Sequence, residues 1–407
     1  MATPFFFFRP ILAADSSWAA FDWLSSDRTT TYGADFIRCF SSADVAPLAN
    51  TMPLIVTTNP DDLGNPDFID TFDASQVVLV LPASVLDDKK AMEHCRKLSG
   101  QGYRFGLDVD NTEILKKIPV SDFDSVRFDA AFARQELSAL NLMYLNDAGF
   151  RKIATDVGTH EMFGWLQEKG FELYGSHFLT ARNPAAGKEP DLTRLKLLKL
   201  LNIVKQDGNT REIEAIFREE PKLSYNLLRL VNSVAVGART KISSFSQAIA
   251  ILGRRQLQRW LQLLIYANNL ADGNTPNPLM QIAAARGRQM ELLSASITPE
   301  PDIPDLSDNA FMTGLFSLLD ILINLPMSDI LKELPMHDEV VEALLSPSNG
   351  SVLGTLLVAV KSAESGDLKA AETAYQKLGL DQWTVAKAQV ASFYWACRIN
   401  VENSHDD

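Results

Sequence analysis

Cysteine is scarce, with 3 in 407 residues. Cys39, Cys95 and Cys397 lie far apart with no CxxC spacing, which argues against a disulfide framework or a cysteine-based zinc site and suits a reducing cytoplasm. Histidine is nearly as rare, at five. His94, His160 and His177 each stand alone, and His405 sits in an acidic tail, so solvated or core roles fit them better than metal ligation. Positive charge is in deficit: 38 Lys and Arg against 51 Asp and Glu leave a net charge of -13. That balance repels a phosphate backbone, so nucleic-acid binding would need a segregated basic face. No run approaches the ~18 uninterrupted apolar residues that cross a bilayer. "MATPFFFFRPI" has no basic segment ahead of its aromatic run, which Arg9 and Pro10 break, so it reads as a first strand rather than a signal peptide. Neither a Walker A loop, nor GxGxxG after a strand, nor a GxSxG elbow is present.

What is there fits two or three domains, since a chain of 407 residues with 46% apolar content exceeds one ordinary core and can fill several. From 1 to 182, runs rich in β-branched and aromatic residues ("FFFFRPIL", "MPLIVTT", "QVVLVLP", "YRFGLDV", "SVRFDA", "FRKIATDV", "FELYGSHFL") alternate with amphipathic segments. That texture predicts βα units around a parallel sheet or barrel. The region is short for eight complete units, which typically need ~250 residues, so trimmed units are expected. Residues 183–190, "NPAAGKEP", read as a linker. Beyond it, from 191 to 407, the pattern is helical: "DLTRLKLLKLLNIVKQ" puts Leu192, Leu195, Leu198 and Leu201 on one face behind an Asp191 N-cap. "SSFSQAIAILG" offers a capping box from Ser244 to Gln247 and a helix-ending Gly253.

Three features invite chemistry. The helix, glycine, helix pattern at 244–267 with Arg254, Arg255 and Arg259 could be a helix-turn-helix. Its second helix carries too many leucines for a groove-exposed element, so an αα-hairpin is the better reading. His337-Asp338 could belong to a metal-dependent HD phosphohydrolase, but two side chains cannot hold a catalytic divalent ion and no histidine lies between His177 and His337. Asp338 is more simply the N-cap of the next helix. Last, "GLDVDN" at 106–111 ends a strand with Asp108 and Asp110 spaced by Val109; a hard cation there would want adjacent oxygen ligands, and valine supplies none.

At 227–262, "LLRLVNSVAVGARTKISSFSQAIAILGRRQLQRWLQ" closely resembles the HDOD domain, a helical relative of HD hydrolases. The match includes Asn232-Ser233, Ile242-Ser243, Ala248 and Leu252-Gly253. It extends through "NAFMTGLFSLLDIL", where Ser317 and Leu318 stand at the places of the His-Asp metal ligands. A hydroxyl and an alkyl group cannot replace an imidazole and a carboxylate in a hydrolytic metal site.

The N-terminal half resembles EAL phosphodiesterases of cyclic di-GMP, which precede HDOD in a two-domain family of bacterial signalling proteins. "RPI" at 9–11 is similar to the opening strand motif, "AFDWLSS" at 20–26 to the namesake strand, and "KGFELYGSHFLTAR" to the closing one. The resemblance implies a Mg²⁺ site, and the departures fall on it. The namesake glutamate matches Asp22, its asparagine partner falls at Thr57, and a further glutamate at Val80. The paired aspartates become Asp108 and Val109. The catalytic lysine matches Arg127, too basic to act as a general base. Thr155 and Gly158 stand where the family has glutamates, and Tyr174 replaces a glutamine. The expected architecture is therefore α/β plus all-α: a shortened, degenerate TIM-like EAL barrel over 1–182, then a helical HDOD domain over 191–407.

The expected function is that of a catalytically inactive adaptor or scaffold in the cytoplasm, with no cofactor, a protein partner from a signalling pathway and room for a homodimer. The rivals are a non-hydrolysing cyclic di-GMP receptor, against which Ser26, Arg127 and Tyr174 count, and an active phosphodiesterase, against which the lost ligands count. Arg255 and Arg259, one turn apart, are the expected partner surface.

Overall fold

The computed structural model describes residues 4–26, 33–183, 278–333 and 336–398, with Leu198, Leu201, Gln258, Arg259, Gln262 and Ile265. Packing divides the chain into two compact units, Met1–Asn183 with Ala359–Ala391, and Pro184–Val358 with Ser392–Asp407.

The first unit is built on a closed barrel of eight strands in sequential order. These are β1 (Phe6–Leu12), β2 (Trp18–Ser25), β3 (Leu54–Thr57), β4 (Val77–Pro82), β5 (Arg104–Asp108), β6 (Ser125–Asp129), β7 (Arg151–Thr155) and β8 (Leu173–Gly175). Most are buried along nearly their whole length, because one face packs into the barrel and the other against covering helices; they read as continuous apolar runs rather than alternating ones. β1 is antiparallel to both β2 and β8, and every other pairing is parallel. The first connection is accordingly a tight hairpin, with Ser16 at φ 65, not a helical crossover.

The helices of this unit are α1 (Gly33–Ser42), α2 (Ala46–Thr51), α3 (Pro66–Ile69), α4 (Lys89–Ser99), α5 (Ala130–Glu136), α6 (Ala139–Asp147) and α7 (His160–Glu168). After β5 the crossover carries only a 3₁₀ helix, Thr112–Lys117, which is one of the expected trimmed units. The barrel floor is an apolar layer of Ile11, Ala20, Ile55, Val80, Ile153 and Leu173. Polar side chains can therefore collect only above that layer, toward the C-terminal ends of the parallel strands.

The later helices are α8 (Pro278–Ser294), α9 (Leu306–Phe316), α10 (Leu319–Ile323), α11 (Met327–Glu333), α12 (Asp338–Leu345), α13 (Val352–Ser365), α14 (Leu368–Lys377) and α15 (Gln382–Arg398). The sequence reading assigned everything after 190 to one helical domain, yet Ala359–Ala391 packs with the barrel. The cause is the aromatic start of the chain. Tyr375, fully buried, stacks on Phe5 and Phe7 at ring distances of 6.3 and 6.4 Å. Gln389 accepts a 2.8 Å hydrogen bond from the Phe8 amide, and Arg38 lies 4.7 Å over the Trp383 ring. β8 pairs with β1 only at Ile11 and Leu12, so these helices satisfy the part of the β1 edge that β8 does not reach.

In the second unit α8 and α9 cross at two glycines. A Cβ on Gly314 would fall 2.7 Å from the Gly287 Cα and 2.8 Å from the Arg286 carbonyl oxygen. Leu198 and Leu201 are helical and buried, as their spacing implied. Leu306–Ile323 has the length and mean hydropathy (1.3) of a bilayer span, but 67% of it is buried and the helix breaks between Phe316 and Leu319; a core helix has the same composition. Asp338 is the first residue of α12, with His337 as N-cap and no side-chain capping bond, so its expected cap role shifts by one position and only the favourable placement in the first turn remains. The linker at 184–190, Asp191, the motif residues Asn232, Ser233, Ile242, Ser243 and Ala248, the capping box at Ser244 and Gln247, and Leu252, Gly253 and Arg255 lie outside the described residues.

Gly314→Ala should lower stability by about 1 to 3 kcal/mol, because the added methyl meets backbone that cannot yield. Urea unfolding of the full chain measures it, and an unchanged midpoint would show that the crossing is loose.

Candidate functional site

Above the apolar floor, the strand register brings charges together. Arg9 lies directly opposite Asp22 on the antiparallel pair, and Asp108 opposite Arg127 on β5 and β6. Arg127 is the centre. Its Nε and Nη2 donate to the two oxygens of Asp108 at 2.5 and 2.6 Å, Nη1 donates to Asp22 Oδ1 at 3.1 Å, and Nη2 also donates to Thr57 Oγ1 at 2.8 Å. Asp22, 1% exposed, is held on its other side by Arg9 Nη2 at 3.2 Å; Arg9 Nη1 continues to Asp156 Oδ1 at 3.0 Å. The bidentate fork onto Asp108 is a geometry that guanidinium provides and ammonium does not. Burial disfavours the charge on Arg127, but Asp108, Asp22 and Asp156 more than offset it and hold the group further into its protonated range than usual.

Arg9, Asp22, Asp108, Arg127 and Asp156 line a cavity of about 410 Å³, with Asp110, Asp129, Phe132, Pro82, Val109 and Thr155 among its walls. Five carboxylates face two guanidinium groups there, giving a formal charge of -3 from the lining aspartates and arginines. Among the described residues, no group of three or more His, Cys, Asp or Glu side chains is placed to hold a metal ion.

The positions singled out in the sequence separate into two sets. Asp22, Thr57, Asp108 and Arg127 converge. Thr155 lines the cavity, its hydroxyl turned to the Phe128 carbonyl at 3.3 Å. Val109 also lines it and is 4% exposed. Val80 belongs to the apolar floor. Gly158 is not in the cavity wall, and a Cβ there would meet nothing within 4 Å. Tyr174 points away from the cavity: its hydroxyl donates to the Phe171 carbonyl, its ring packs edge-on against Phe163 at 4.8 Å, and burial, then Glu172, pushes the phenol up to about 12. Arg9, Asp129, Phe132 and Asp156 were given no role in the sequence reading. An arginine inside "FFFFRPIL" is the one signal that could have found the first, since a charge in a buried strand needs a partner.

A Mg²⁺ site does not fit these residues. The cradle keeps two aspartates at the expected positions, replaces other oxygen ligands by Val80 and Val109, and puts a fixed positive charge between the carboxylates that remain. A divalent ion about 4 Å from that guanidinium would meet a repulsion on the order of 8 kcal/mol at an effective dielectric constant of about 20.

In the helical unit, Ser317 caps α9; its hydroxyl accepts from Arg286 Nη1 at 2.5 Å and donates to the Gly314 carbonyl at 2.6 Å. Leu318 is 2% exposed. Arg259 corrects an expectation. It pairs with Glu291 and, at 2.8 Å, with Asp308, and lies 5.1 Å over the Phe311 ring, its side chain 21% exposed. These carboxylates lie far along the chain and draw the guanidinium inward, so Arg259 ties α8 and α9 to its own segment and is not half of an open basic stripe. The thiols carry no obvious chemistry either: all three are buried, and burial pushes Cys95 and Cys397 up to about 12 and Cys39 higher still.

Residues 192–334 match the HDOD domain family. That match lies in the helical part of the chain, and the region before it is the eight-stranded barrel. The chain is 25% identical to the uncharacterized protein YuxH of Bacillus subtilis over 288 residues, 69% of each chain. It is 23% identical to the cyclic di-GMP phosphodiesterase CdgJ of Vibrio cholerae over 333 residues, 81% of this chain and 75% of CdgJ. Among solved structures, the cAMP-bound EAL enzyme Bd1971 overlaps 43% of this chain and 62% of its own, less than two thirds, with 12% identity and a TM-score of 0.36. The HDOD match ends at 334, ahead of the Ala359–Ala391 segment that packs on the barrel.

Arg127→Met should destabilise the barrel by about 3 kcal/mol, the low end for breaking a buried pair, because Asp22 keeps Arg9 and Asp108 is 39% exposed. Chemical denaturation checks this. Arg259→Ala should cost roughly 2 kcal/mol through its charged hydrogen bonds. An effect within about 0.5 kcal/mol, usual for surface positions, would restore the exposed-stripe reading.

Proposed function

We propose that the protein is a non-hydrolytic component of cyclic di-GMP signalling, acting in the cytoplasm through recognition of a protein partner. One observation carries the reading: the Arg127 guanidinium sits between Asp22 and Asp108, where a hydrolase of this architecture would need a divalent cation. A metal-activated water requires an ion with open coordination positions. An arginine fork has none to offer, and it remains charged at any pH at which the fold is stable. The relative CdgJ is described as a phosphodiesterase, so the architecture is compatible with hydrolysis, and the difference must lie in the site. Asp110, Asp129 and Asp156 at the cavity wall also oppose the phosphodiesters of a cyclic dinucleotide, which counts against the non-hydrolysing receptor as well.

The full-length protein, incubated with cyclic di-GMP and either Mg²⁺ or Mn²⁺, should release no linear dinucleotide by chromatography. Metal-dependent turnover that disappears in Asp108→Ala would overturn the proposal.

A further inference from the structure

The Arg9–Asp156 pair has a neighbour that the site chemistry leaves unused. Gly366, in the turn at 365–367 between α13 and α14, has φ +88, and a Cβ built on it would lie 2.7 Å from Arg9 Nη1 and 3.1 Å from Asp156 Oδ1. Only glycine brings backbone this close to an ion pair in that conformation. The pair itself is at the edge of the cavity: the Arg9 side chain is 11% exposed and that of Asp156 42%. Asp156 holds a left-handed backbone, φ 53, a conformation that aspartate and asparagine tolerate better than most residues. Beyond the turn, the contacts holding Ala359–Ala391 to the barrel include the Tyr375 ring against Phe5 and Phe7, the Gln389 side chain on the Phe8 amide and Arg38 over the Trp383 ring.

We propose that the turn at 365–367 is an intramolecular lid seated on the rim of the barrel cavity, and that the Arg9–Asp156 ion pair is its latch. Arg9 has two acceptors, Asp22 below and Asp156 above, so its guanidinium stays anchored whether or not the upper contact is made. Among the described residues Asp156 pairs with no second cation, so its side chain is released when the pair opens. An anion that takes Arg9, or a cation that takes Asp156, removes the surface on which Gly366 rests. The segment 359–391 then loses its seat at the rim while the strands beneath keep their hydrogen bonds. Occupancy of the cavity thereby becomes a change in order of a helical segment, a coupling that needs no catalysis. The lid does not depend on the absence of hydrolysis: it rests on Arg9, Asp156 and Gly366, not on Arg127.

Hydrogen exchange of the full-length protein, read by mass spectrometry, tests it. Asp156→Asn keeps the backbone conformation but weakens the latch, and Gly366→Ala forces a methyl into it; Glu161→Gln, in an exposed ion pair with Arg134 on the barrel surface, is the control. Peptides covering 359–391 should exchange about tenfold faster in the first two variants, with β3 and β4 at wild-type rates and the control unchanged. Wild-type exchange over 359–391 in both variants would overturn the lid. So would an equal rise across β3 and β4, because the pair would then be a structural support of the whole barrel.

Discussion

The barrel depends on one cation held by two carboxylates: Arg127 against Asp22 and Asp108. Everything polar in the upper layer is arranged around that contact. Asp22 is 1% exposed and cannot be charged in such a place without partners, so it accepts from both Arg127 and Arg9; Arg9 in turn brings Asp156 inward. Thr57 Oγ1 accepts from Arg127 Nη2, which also donates to Asp108. Pairs of this kind add little net stability, because desolvation consumes most of the Coulombic gain. Their effect is to fix which strands meet. Asp108 and Arg127 are opposite each other on β5 and β6, and Arg9 and Asp22 on β1 and β2, and a one-residue slip in either pairing would turn a charge out of the cavity.

The helical unit repeats the device with different parts. Arg286 is 1% exposed and donates to Ser317, while Arg259 joins Glu291 and Asp308 over a phenylalanine ring. In both units a buried arginine gathers polar side chains from separate elements of the interior. Guanidinium brings several donors in a plane and stays charged without an external ion. The interior charges of each unit are therefore balanced by side chains of the same unit.

How much of this the sequence disclosed varied with the range of the interaction. The apolar runs marked seven of the eight strands, because each is short, β-branched or aromatic, and bounded by polar turns. β2, "WAAFDWLS", surfaced only through family resemblance, since Asp22 interrupts its apolar run and no alternation remains in a strand buried on both faces. The converging set Asp22, Thr57, Asp108 and Arg127 was identified position by position, but not that Arg127 would lie between the carboxylates. That follows from register and from the length of the arginine side chain. Tyr174 was grouped with the site because its strand was, although its side chain leaves the barrel. Arg259 was read as exposed from its spacing to Arg255; its actual partners are 32 and 49 residues away, and no local pattern announces them.

Chain order misled most where the barrel is least regular. A parallel strand in such a barrel is flanked on both edges and covered by the helix that follows it. β1 is antiparallel to both neighbours, is followed by a hairpin instead of a helix, and meets β8 at only two residues. Its aromatic first half thus begins with one edge and one face unserved, and Phe5, Phe7 and the Phe8 amide must be covered from elsewhere in the sequence. Tyr375 and Gln389 do so, from more than 350 residues away. The aromatic run that begins β1 is the docking strip for Ala359–Ala391, and the turn that reaches Arg9 is carried there by that segment.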